Sequence, residues 1–216
     1  PYRVNICKNY GANILFTNAN NAFDEVRNAE KDGYKFIHPF DGTYTLQGSA
    51  TLGLEIANQI KNLNTTIDNI FISVGGGGLV SGIGSTLKQI FPHINIIGVE
   101  PIGAKGMTDS LKINSPLNKV EIDSIADSLC APLHMPYSFD VAIKVIDQMI
   151  NISDKDMIES MKFAFKNLKL FLEPACVAGF AALKKMNSSK FINQNTLILL
   201  CGSNIDTQSW KQMIKT

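Results

Sequence analysis

Apolar positions along the chain follow two rhythms. Short runs of Ile, Val and Phe at 69–74 (Asn-Ile-Phe-Ile-Ser-Val), 95–99 (Asn-Ile-Ile-Gly-Val) and 196–200 (Thr-Leu-Ile-Leu-Leu) predict strands buried on both faces. Weaker runs at 13–16 and 34–37 predict two more strands, and Met149–Ile152 is a short apolar segment. Elsewhere apolar residues recur at helical spacing. Residues 1–10 read as the end of a helix closed by Gly11. Asn20 to Asp32 reads as a helix with Ala22, Phe23, Val26 and Ala29 on one face and Gly33 as its stop. Further helices are predicted over about 46–63, over 79–90 before Pro92, and over 138–146. Ser153 and Asp156 cap a long one reaching about Leu172, Glu173-Pro174 restarts a helix of small residues, and a short helix carries Trp210. Residues 102–140 predict little regularity, because Pro116, Pro132 and Pro136 break the run.

Strand and helix alternate throughout, which predicts an α/β fold with a parallel sheet and helices on both faces. The turn-rich bridge His38-Pro39-Phe40-Asp41-Gly42 is the expected domain crossing, dividing 1–38 from 39–216. Three strand ends carry glycine or polar punctuation: Gly75–Gly78, Glu100-Pro101 and Cys201–Asn204. In a parallel sheet they share one edge, where such sheets bind ligands.

The most informative stretch is Ser73 to Gly84, SVGGGGLVSGIG, at a strand-to-helix turn. Consecutive glycines let the backbone approach a ligand and aim N–H groups at it. The helix N-terminus adds positive potential, so an anion, most often a phosphate, is the natural guest. The dinucleotide fingerprint fails, since Gly75-x-Gly77 leads to Val80 and Gly76-x-Gly78 to Ser81. The triphosphate loop also fails, because no Gly-Lys-Ser/Thr follows.

Composition excludes more than it identifies. The 216 residues are 45% hydrophobic, enough for a substantial core, and 20 basic against 19 acidic residues make no case for nucleic acid or an anionic membrane. No apolar run approaches the roughly 20 residues of a membrane span. Cys7, Cys130, Cys176 and Cys201 lie far apart, the pattern of reduced cytosolic thiols. His38, His93 and His134 lack metal-ligand spacing and read as structural or surface residues.

VGGGGLVSGIG, IIGVEP, HPFDG…GSATLGLEIANQI at 38–60, SIADSL at 124–129, LEPACVAGFAAL at 172–183 and CGSNID at 201–206 occur in one order over nearly the whole chain. Together they resemble the fold-type II pyridoxal-phosphate enzymes, of tryptophan synthase β-like architecture, and within them the threonine/serine dehydratases. The resemblance implies that Gly75, Gly76, Gly77, Gly78 and Leu79 hold the phosphate of pyridoxal 5'-phosphate. It also implies that Cys201, as a neutral thiol, faces the pyridine nitrogen, and that Glu173 lies near the cofactor. For Glu173 a carboxylate satisfying a helix N-terminus is an equal reading. Glu100 and Ala104 match positions where racemase-like members bind a cation. The acidic residue expected two positions on is Gly106, so no metal is expected.

The implied reaction converts L-threonine or L-serine to a 2-oxo acid and ammonia. The same fold also serves serine racemase-like and β-replacement enzymes, and a non-catalytic phosphate-ligand binding module is the alternative outside that class. No lysine here stands in the family's Schiff-base segment: Lys8, Lys31, Lys88 and Lys169 read as helix-surface positions. The resemblance therefore covers the C-terminal two thirds of a dehydratase, with 1–38 the remainder of a small domain and 39–216 most of the large one. The catalytic lysine is expected upstream, and this chain alone is expected to be inactive. The whole protein is expected to be a cytoplasmic homo-oligomer acting on a small amino acid, with no nucleic-acid or membrane partner.

Overall fold

The computed structural model describes residues 2–17, 21–186 and 188–215. Four parallel strands, β1 (Asn69–Ser73), β2 (Asn95–Pro101), β3 (Gln148–Ile152) and β4 (Thr196–Ile198), lie in the order β3-β2-β1-β4. Asn69 faces Asn95 on one side and Thr196 on the other, while Ile97 faces Gln148. All C-terminal strand ends therefore lie along one edge of the sheet.

Alternation along β1 assigns its residues to opposite faces of the sheet. Ile70 and Ile72 join a core built with α3 (Thr43–Asn62), α4 (Gly78–Ile90) and α6 (Pro136–Val145). Phe71 joins Ile97, Val99 and the apolar faces of α7 (Asp154–Phe163), α8 (Ala178–Lys185) and α9 (Thr207–Lys215). β1 is fully buried along its length. The small residues Ala178, Gly179, Ala181 and Ala182 of α8 bring that helix close to the sheet.

Several boundaries differ from the sequence expectation. The runs at 13–16 and 34–37 form no strand: Leu15, Phe16, Tyr34 and Ile37 stay exposed, and among the described residues no segment completes a ladder with them. Of the expected strand–helix–strand unit only the helix, α2 (Ala22–Lys31), forms among the described residues. The expected start of that helix, Asn20, lies outside the described residues. α1 (Tyr2–Asn9) buries none of its residues and is tied to the rest by Arg3, which reaches Asp127 and the Asn204 carbonyl.

The irregular stretch contains α5 (Gly106–Ile113), whose first amides, those of Met107 and Thr108, donate to the carboxylate of Glu100 at 3.0 and 2.8 Å. Pro136 does not break α6 but opens it, where its missing N–H costs nothing. Ser153 and Asp156 form the expected capping box, with Asp156 N–H donating to Ser153 Oγ at 3.2 Å. The helix they start ends sooner than Leu172, passing through a π turn at 164–168 to left-handed Lys169 (φ 60°). Lys88 is not a free surface lysine, since its ammonium pairs with Asp147 at 2.6 Å. Among the described residues no helix is long and apolar enough to cross a membrane.

Candidate active site

The turn from β1 into α4 forms one wall of an open cavity of about 480 Å³ at the C-terminal edge of the sheet. Gly75, Gly76, Gly77, Gly78, Leu79, Glu173 and Cys201 all line it, so every residue the sequence assigned to the cofactor meets in one place. Residues 128–132 and the Pro39-Phe40 pair close the other sides. Glu100 does not join them. Its buried carboxylate caps α5 and accepts from Asn151 Nδ2 at 3.1 Å, so the second punctuated strand end serves structure. Burial raises the Glu100 carboxyl above the usual carboxylate range, against the pull of those hydrogen bonds. Among the described residues no cluster of side chains could hold a metal ion.

Two loop positions require glycine for different reasons. Gly77 has φ +96°, a left-handed conformation that L side chains avoid. A Cβ on Gly76 would lie 2.1 Å from Cγ of Phe40, so the aromatic ring occupies the side-chain space. Among the described residues no acceptor meets the amides of Gly75 through Leu79. The carbonyls of Gly75, Gly76 and Gly77 are taken, by His134 Nε2 (3.2 Å), Ser138 Oγ (3.3 Å) and the Ser81 amide (3.0 Å). A backbone with its carbonyls committed and its amides free, at the N-terminus of a 13-residue helix, is an anion cradle.

Cys201 stands three residues past β4, and the buried Cys176 thiol is the group that acts most strongly on its acidity. The two are distant in sequence and become neighbours only in the fold. The neighbouring Cys176 lowers the Cys201 thiol to about 7, while Cys201 and burial push Cys176 up. Ser73 is nearby, but its one hydroxyl proton goes to the Ala175 carbonyl at 2.8 Å, so the lowering rests on Cys176. That direction runs against the neutral thiol expected of Cys201.

Glu173 precedes the short 3₁₀ turn at 174–177 but makes no side-chain cap bond to it. It does stand at the N-terminal end of that turn, so the helix-end reading keeps its position without a cap hydrogen bond. Its side chain turns toward Gly202, and buried Oε2 has no hydrogen-bond partner, with an Arg3 nitrogen 3.8 Å away. Burial raises its carboxyl above the usual range, partly offset by Arg3.

Phe40, His134 and Ser138 escape sequence reasoning as site residues. Each acts on the loop across a large sequence separation, and a single sequence carries no signal for such contacts.

A family model described as "Pyridoxal-phosphate dependent enzyme" matches residues 1–202. The chain is 37% identical over 212 residues to a phenylserine dehydratase from Ralstonia pickettii, covering 97% of this chain and 64% of that protein. It is 34% identical over 192 residues to a chloroplastic biosynthetic threonine dehydratase of Solanum lycopersicum, covering 85% of this chain and 31% of that protein. Among solved structures, a T.th. threonine deaminase superposes with a TM-score of 0.88 at 26% identity, covering 95% of this chain and 68% of that one. Maize serine racemase does so with 0.85 at 29% identity, covering 99% and 66%.

Proposed function

The chain belongs to the pyridoxal-phosphate dependent enzyme family, and from that premise we propose that the whole protein is a lyase for β-hydroxy amino acids. It removes the β-hydroxyl of L-threonine, L-serine or a bulkier relative, releasing a 2-oxo acid and ammonia. The observation that carries this reading is the glycine loop, whose free amides share one cavity with Cys201 and Glu173. Those features fit pyridoxal 5'-phosphate. The amides of Gly75–Leu79 and the α4 dipole suit a phosphate dianion, and the orphaned Glu173 Oε2 leaves a polar atom for a ligand to satisfy. When bound, the cofactor supplies an electron sink for the substrate's α-carbon.

The chain's own residues do the rest. Gly75 to Leu79 bind the phosphate and fix one end of the cavity. Cys201 lines the same cavity and would offer a bound cofactor's ring nitrogen its thiol, whose acidity Cys176 increases. Glu173, its carboxyl raised by burial, would hold a proton at the cavity wall beside a bound cofactor. The Phe40 ring and the Leu129 backbone fill the side-chain positions of Gly76 and Gly75, which keeps those residues bare. Among the described residues no lysine lines the cavity. We assign residues 39–216 to the cofactor-binding domain and 1–38 to part of a smaller one.

The test is turnover by the whole protein, given L-threonine, L-serine and L-phenylserine with pyridoxal 5'-phosphate. Release of the corresponding 2-oxo acid faster than any D-amino acid supports the lyase. D-serine as the main product of L-serine would replace it with a racemase, a reading the serine racemase likeness favours. Cofactor binding with no turnover at all would leave a binding module.

A further inference from the structure

Two side chains that do not line the cavity control the glycine loop from behind. His134 is 5% exposed, and its Nε2 lies 3.2 Å from the Gly75 carbonyl oxygen. A carbonyl only accepts, so Nε2 carries a proton. On the other side of the ring, Nδ1 is 2.9 Å from Oγ of Ser110, and that oxygen accepts from the Leu117 amide at 3.1 Å. Among the described residues that hydroxyl has no other acceptor, so Ser110 spends its one proton on Nδ1, leaving the ring neutral. The whole relay has a single direction: Leu117 N–H to Ser110, Ser110 O–H to Nδ1, Nε2–H to Gly75. The His134 amide closes the circuit by donating to the Leu117 carbonyl at 2.7 Å. Burial, which lowers the imidazole's proton affinity, acts in the same sense.

The consequence for the loop follows from peptide geometry. In a trans peptide the C=O and the next N–H point opposite ways, and no peptide bond among the described residues is cis. A Gly75 carbonyl held toward His134 forces the Gly76 N–H away from it. Without that hold, a glycine–glycine peptide flips at little steric cost. Ser138 acts on the next carbonyl less firmly, because its proton is shared between Gly76 O and Met135 O, both at 3.3 Å. We propose that His134 is the positioning residue of the anion cradle, fixing the Gly75–Gly76 peptide so that the Gly76 amide faces the cavity. This rests on the reading of the loop as a phosphate site.

The experiment compares the chain's affinities for pyridoxal 5'-phosphate and for pyridoxal, which lacks the phosphate. His134→Phe keeps an aromatic ring without the donor, and His134→Gln restores an N–H. The wild type prefers the phosphorylated ligand. H134F lowers that preference about tenfold, the value of one charge-assisted hydrogen bond, by weakening the phosphorylated ligand alone. H134Q keeps the preference within about twofold. An unchanged preference in a folded H134F overturns the proposal. If H134F does not fold, ¹⁵N NMR of the wild-type ring decides: protonated Nε2 with bare Nδ1 supports it, and the opposite tautomer overturns it. A wild type with no preference refutes the phosphate site itself, and the positioning role falls with it.

Discussion

Adding one methyl at residue 76 tests the packing on which the site is built. Gly76 has no positive φ, so alanine meets no backbone strain there, and the whole effect comes from the neighbour. An ideal Cβ would sit 2.1 Å from Cγ and 2.2 Å from Cδ2 of Phe40, whereas carbon atoms rest about 3.5–4 Å apart. The ring must therefore retreat by roughly 1.5 Å. Its backbone lies against the same loop, with the Phe40 carbonyl and Cα 2.6 and 2.9 Å from where a Gly78 Cβ would stand. The adjoining Asp41 is also bound to the Ser138 amide at 2.7 Å. Overpacking of this kind costs about 1–3 kcal/mol, so Gly76→Ala should lower the free energy of urea unfolding by that amount. Repeating the change in a Phe40→Ala background isolates the contact. There the methyl has room, and its cost should fall below about 0.5 kcal/mol. Equal costs in both backgrounds would refute the argument that Phe40 fills the side-chain space of residue 76.

Other consequences follow from the ionisable groups and caps. Glu173 carries a raised carboxyl in the fold, so its contribution to stability is present at low pH and declines as pH rises above the ordinary carboxylate value. Glu173→Gln should flatten that decline in unfolding curves taken from about pH 4 to 7, and a steeper decline would contradict it. Cys176→Ala removes the neighbouring thiol that lowers Cys201, so the pH midpoint for alkylating Cys201, followed by mass spectrometry at that site, should move up from about 7 toward the usual thiol range. A midpoint that stays or falls would sink the assignment. Ser153→Ala breaks the capping box of α7 and should cost about 1 kcal/mol. Asp156 is held below its usual value mainly by Ser153, so the wild-type advantage should be full near neutral pH and shrink as pH falls through the acid range.

The parts of the fold legible in the sequence are those where local pattern and tertiary demand agree. β1 and α4 are readable because an unbroken apolar run must be buried on both faces and four glycines can only be a turn. The glycine loop and Cys201, proposed here for the cofactor, are readable for the same reason, since they follow strand ends of a parallel sheet. The strands expected at 13–16 and 34–37 have the right composition but no partner among the described residues, and a ladder is a property of two segments. α5 escapes notice because its cap is remote: Glu100, at the end of β2, satisfies its first amides, so no cap residue marks its start. Pro136 has the composition of a breaker and opens a helix instead, which only the position of the following turn decides. The Cys176–Cys201 pairing and the grip of His134 on Gly75 join residues 25 and 59 positions apart. Nothing local in either segment announces them.

The central claim is that the backbone amides of Gly75 to Leu79 receive the phosphate of pyridoxal 5'-phosphate. The most direct measurement follows their ¹H–¹⁵N NMR signals while pyridoxal 5'-phosphate, and separately pyridoxal, is added to the chain. The account predicts downfield proton shifts confined largely to those five amides with the phosphorylated ligand, and little movement there with pyridoxal. Equal shifts with both ligands, or shifts that bypass the glycine loop, would contradict it.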